Sequence, residues 1–103
     1  MEKIIAIDGR DVRFKSTAAL PLHYATHFGS DVLMDALSLT DENKAASTIH
    51  MFRMIWTMAY CADKTIKPLE QWIEEFESFP IYKVFPELDD MFWASVKGVT
   101  KKN

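Results

Sequence analysis

A single cysteine, Cys61, stands among 103 residues, which excludes an intrachain disulfide and a cysteine-rich zinc site. Glycine is almost as scarce: the three present fall where turns or helix ends are expected, so no glycine-rich loop can cradle a phosphate. No apolar run is long enough to span a membrane. Asp8, Arg10 and Asp11 interrupt the opening apolar segment, so it does not read as a signal peptide. Basic excess is missing too. The formal net charge is −3, and no basic stripe supplies the electrostatic footprint of a nucleic-acid binder. These absences predict a soluble, cytoplasmic protein that engages neither nucleic acid nor membrane.

What the chain does have is apolar bulk. Apolar residues make up 49% and charged residues 26%, a balance that favours one folded core over disorder. Three Trp, three Tyr and seven Phe exceed what a minimal core needs, and aromatic and Met residues are enriched at interfaces. Between residues 63 and 90, eight acids face three lysines, a local balance of −5. Such a face suits a basic protein partner or a solvated surface.

The clearest local signal opens the chain. Lys3 to Ile7 is rich in β-branched residues, Asp8-Gly9 is a two-residue turn signal, and Asp11 to Lys15 alternates polar and apolar. An isolated two-stranded hairpin is marginal in water, so this one must lie on helices or pair with another chain. Helices are expected after it. Pro21 starts a short one to Phe28, ended by Gly29 in the left-handed cap. Ser30 caps a second from Asp31 to Leu39. Thr40 caps a third that runs to about Asp63, with Asp41 and Glu42 in its first turn. Lys64 to Lys67 connect to a fourth helix from Pro68 to about Glu77. Ile81 to Phe85 reads as one helical turn, because the residue before Pro86 resists the α conformation. Pro86 then starts a last helix to about Lys97, closed by Gly98. The fold class is α+β: an N-terminal antiparallel β-hairpin packed on a bundle of four to five helices. Residues 1–98 form one domain and 99–103 a mobile tail.

The third helix carries two apolar stripes, Ile49/Phe52/Trp56/Ala59 and Met51/Ile55/Met58/Ala62. The two stripes lie side by side, and only His50, Arg53, Thr57, Tyr60 and Lys64 make a polar line. A helix apolar over so much of its circumference is central in the core or covered by a partner. For the second case the flexible thioethers of Met51, Met54 and Met58, with Trp72 and Phe76 from the fourth helix, are the partner-binding candidates; each also reads as core.

Patterns for chemistry are thin. His23 and His27 stand four apart on one helix, but Tyr24 occupies the place where a zinc hydrolase carries glutamate. Cys61 lacks an oxyanion loop and reads as a buried helical thiol. Glu70, Glu74 and Glu77 share a face without the carboxylate–histidine set of a metal bundle. No catalytic residue, metal ligand or cofactor is expected.

Read in order, several segments carry a resemblance. They are Ile7-Asp8-Gly9-Arg10, Val12-Arg13-Phe14-Lys15, Thr17-Ala18-Ala19 with Pro21, and Tyr24 before the Phe28-Gly29-Ser30-Asp31 corner. Tyr60 and Ala62, Trp72-Ile73-Glu74-Glu75-Phe76, Phe79-Pro80-Ile81-Tyr82 and Pro86-Glu87 follow. The layout resembles the tail assembly chaperones of long-tailed, siphovirus-type phages and prophages of Gram-positive bacteria. That resemblance implies a non-enzymatic factor in the host cytoplasm, absent from the mature virion. It would bind the tape measure protein and keep it soluble while the tail tube polymerises. The resemblance also admits the major tail protein as a second partner. Self-association, if it occurs, has the hairpin edge available. The alternative from another class is a small regulatory module, of antitoxin or anti-repressor type, binding one protein partner.

Overall fold

The computed structural model describes residues 1–40 and 44–97. In chain order these form β1 (Glu2–Ile7), β2 (Arg10–Lys15), α1 (Leu20–Phe28), α2 (Val32–Leu37) with a 3-10 turn (Ser38–Thr40), α3 (Lys44–Ala62), α4 (Leu69–Ile73) and α5 (Ile81–Lys97). The architecture is α+β, a two-stranded antiparallel sheet followed by helices. The roles expected for the Asp41 and Glu42 carboxylates, the Thr40 side-chain cap, Gly98 and the 99–103 tail lie outside the described residues. Among the described residues no helix is long and apolar enough to cross a membrane.

The hairpin closes as its sequence dictates. Asp8 and Gly9 take φ of 55° and 78°, so both central residues are left-handed, as a type I′ turn requires. Ile7 pairs with Arg10 and Ile5 with Val12. The register turns Ile5, Ile7, Val12 and Phe14 to one face, and all four are buried. That face lies on α3, whose six consecutive residues Met54 to Ala59 are buried. The tip is fastened separately. The Glu77 N–H donates to Asp8 Oδ2 at 2.8 Å, and the Arg10 guanidinium sits 4.3 Å from the Phe76 ring centre.

Gly29 ends α1 in the left-handed conformation, its N–H donating to the Ala25 carbonyl, as expected. Elsewhere the structure corrects the expectations. The cap of α2 is Asp31, whose Oδ1 accepts from the Met34 N–H at 3.0 Å, while the Ser30 hydroxyl donates to Asp35. The α-helix stops at Leu37, and the remainder tightens to a 3-10 turn. Thr57 leaves the expected polar line: it is fully buried, with its hydroxyl donating to the Arg53 carbonyl.

The fourth helix is shorter than expected. After Ile73 the bonds tighten, with the Glu75 N–H donating to Trp72 and the Phe76 N–H to Ile73. The Glu77 N–H has turned to the hairpin tip.

The last two expected helices are one, Ile81–Lys97, with Pro86 inside it. Ile81, Val84, Phe85, Leu88, Met91 and Phe92 are buried, an unbroken helical period. Pro86 falls on the exposed side, where its missing N–H costs the helix the bond to the carbonyl four residues back, that of Tyr82. Core periodicity outweighs the local proline penalty here. Replacing Pro86 by Ala restores that donor and should raise stability by about 1–3 kcal/mol. Urea unfolding of the two chains checks this; a lower midpoint for the variant would mean that the ring's restraint of the unfolded chain dominates.

Candidate functional site

An open groove runs between α3 and α4. Its floor is Phe28 from the end of α1 with Ile49 and Phe52 from α3; Leu69 and Ile73 line the α4 side, and Arg53, Glu70 and Glu74 stand at the lips. The hollow measures about 620 Å³. The groove exists because the helices differ in length. With nineteen residues, α3 extends well past α4, which has five, so the N-terminal half of α3 lacks a covering helix there. Ile49 is 49% exposed, and Phe28, Phe52, Leu69 and Ile73 are half-buried.

A smaller hollow of about 150 Å³ adjoins it, sharing Phe28 and Leu69 and adding His27, Trp56, Tyr60, Ile66 and Pro68. The two hollows lie along the same side of α3 from Ile49 to Tyr60, with Trp56, 2% exposed, forming the buried wall between. The second half of that side is aromatic and well ordered by contacts. Trp56 and Tyr60 stack at 5.0 Å with 15° between planes, and His27 packs edge-on against both rings. The Trp56 indole N–H donates to the Lys67 carbonyl at 2.8 Å, which holds the α3–α4 connection against the shelf. Asp63 shapes the same connection: its Oδ1 accepts from the N–H and hydroxyl of Thr65, and those bonds hold its carboxyl below the usual range.

Behind the groove lies a polar knot on Asp35. Its Oδ2 accepts from the Tyr24 hydroxyl at 2.7 Å and the Ser30 hydroxyl at 2.8 Å. His50 Nδ1 lies 3.5 Å from the same oxygen, too poorly placed for a hydrogen bond in this geometry. Burial, then the bond and charge of Asp35, push the Tyr24 hydroxyl far above its ordinary range against the opposing influence of Arg53. Tyr24 is therefore a permanent donor. The knot ties α1 to α2 through Asp35 Oδ2, with His50 of α3 packed beside it.

The residues proposed from sequence as partner contacts occupy different places. Met54 and Met58 are fully buried, Trp72 is 3% and Phe76 is 8% exposed; only Met51 is half-buried. Four of the five have almost no surface in this conformation. The accessible apolar residues of the same helices are their neighbours, Ile49 and Phe52 on α3 and Leu69 and Ile73 on α4. For Ile49 and Phe52 the signal was in the sequence, as an i, i+3 pair of one apolar stripe, and Leu69 and Ile73 stand four apart on the fourth helix. What singles them out is the helix that ends too early to cover them.

The candidates for chemistry do not assemble. Among the described residues no group of three or more His, Cys, Asp or Glu could hold a metal ion. His23 and His27 both pack edge-on against Tyr60, and burial, with Lys64 and His27 nearby, lowers the His23 pKa. Cys61 is buried, its sulfur 4.0 Å from the Thr17 hydroxyl. Glu70, Glu74 and Glu77 point outward. No protein-family model, curated protein or solved structure matches the chain.

Two outcomes follow from this geometry. Tyr24→Phe removes a bond to a carboxylate and should cost about 1–3 kcal/mol; chemical denaturation measures it, and Asp35→Ala should cost more because two hydroxyls lose their acceptor. Burial pushes the Cys61 thiol up despite Thr17, Lys64 and Lys15, so near neutral pH it is a weak nucleophile. Thiol titration with a chromogenic disulfide should show slow labelling in buffer and complete labelling in denaturant.

Proposed function

We propose that this chain is a non-enzymatic tail assembly chaperone that binds the tape measure protein and keeps it soluble during tail tube assembly in the host cytoplasm. The observation that carries the proposal is the uncovered apolar groove between α3 and α4, lined by Phe28, Ile49, Phe52, Leu69 and Ile73. A groove of this kind takes the apolar seam of an amphipathic helix. Eleven helical steps separate Ile49 from Tyr60, about 16 Å or three turns of a partner helix. A tape measure protein, a long helical chain whose seams are bare before the tube encloses it, presents such helices in series. The resemblance of the sequence to tail assembly chaperones supplies the partner's identity; the groove supplies a physical means of holding it.

The surface also suits transient work. An interface three turns long is small, and only a few residues form its apolar floor, so release does not require undoing a domain-like interface.

Co-expression with the tape measure protein tests the assignment. The expected result is a soluble tape measure protein that co-purifies with this chain. Ile49→Asp, at a half-exposed position, should abolish co-purification while leaving the far-UV CD spectrum and unfolding midpoint nearly unchanged. A tape measure protein that stays insoluble beside a folded wild-type chain sinks the assignment, and a regulatory module for a different protein partner then takes its place.

A further inference from the structure

We infer that the groove selects its occupant by flank charge: it takes an amphipathic helix with two basic residues, four apart, beside the apolar seam. The inference rests on the helix-binding reading above and adds a chemical criterion to it. Glu70 and Glu74 form the α4 lip. Both are exposed, and they are joined by one helical turn, the Glu74 N–H donating to the Glu70 carbonyl. Among the described residues neither carboxylate has an ion-pair partner, although Glu2 and Glu75 have Arg13 and Arg10. Arg53 lines the same hollow but, among the described residues, makes no ion pair with either carboxylate. The Arg53 guanidinium lies 5.2 Å from the Phe28 ring centre and within the field of Tyr24, so it is turned to the floor.

The mouth therefore has an apolar floor and one anionic edge. Residues four apart on a helix are neighbours on its surface. An occupant lying along α4 would set lysines or arginines four apart against Glu70 and Glu74, with its seam on Phe52 and Ile73. A glutamate-flanked seam would meet repulsion at the same two points. Negative balance across 63–90 (eight acids, three lysines) extends this preference to the approach of a partner.

The test uses the full chain and labelled helical peptides of about 18 residues. They share one leucine seam and differ in flank: lysine, glutamine or glutamate. Fluorescence anisotropy at low salt should rank them lysine, glutamine, glutamate, with about tenfold between the extremes, as two exposed charge pairs imply. High salt should compress that ranking, and Glu70→Gln with Glu74→Gln should remove most of it without weakening the glutamine-flanked peptide. Equal binding of all three peptides overturns the charge criterion and leaves the helix-binding reading standing. Binding by none, with the chain folded, overturns both. A lysine peptide with a scrambled seam that binds as well as its parent would reduce the effect to unspecific attraction and overturn the inference. Sedimentation showing a dimer that Ile49→Asp dissociates would give the groove to a second copy, with the same result.

Discussion

A two-stranded hairpin cannot hold itself together in water, because one face of it must leave water and nothing in the sheet covers that face. Here the inner face of Ile5, Ile7, Val12 and Phe14 is buried, and the support is α3. The dependence runs both ways. The stretch Met54 to Ala59 is apolar around nearly its whole circumference apart from Thr57, and every side is buried, so α3 needs the hairpin as a lid as much as the hairpin needs a floor. The other helices complete the enclosure. Loss of Phe14, which is fully buried, would open both halves of this contact together.

How much of this was legible in the sequence depends on the range of the physics involved. The hairpin was readable because Asp8-Gly9 sets its own backbone and the alternation beside it fixes the register. The Gly29 stop was readable for the same local reason. Helix α5 was misread because a local rule, the cost of proline, was set against a longer one. The apolar period from Ile81 to Phe92 continues through Pro86 without a change of phase, and that burial decides the outcome. The end of α4 was beyond local reading altogether: Glu77 turns to Asp8, 69 residues away, and no window around Glu77 contains that partner.

The candidate site shows the same division. Met54, Met58, Trp72 and Phe76 are apolar positions of helices rich in them, and periodicity cannot say which face is covered. That answer comes from the lengths of α3 and α4, since five residues cannot shield what nineteen expose. Ile49 and Phe52 continue the stripe that buries Trp56 and Ala59 further along. The helix thus passes from core to groove along one face without any change in its sequence pattern. A composition rich in aromatic residues hinted at surplus apolar surface, but its location is a property of the fold.

An exposed apolar strip on a small domain risks unspecific association, and the arrangement around this one limits that risk. The strip lies in a hollow, so a flat surface cannot seal against it, whereas a cylinder about the width of a helix can. The aromatic half is braced by the Trp56–Tyr60 stack and the Trp56–Lys67 bond, so those side chains keep little freedom. The half around Ile49 is less enclosed, with Ile49 itself 49% exposed. The apolar face of α3 therefore passes from a braced end to an exposed one, and the cost of leaving that face in water falls on Ile49 and Phe52 rather than on the stacked rings.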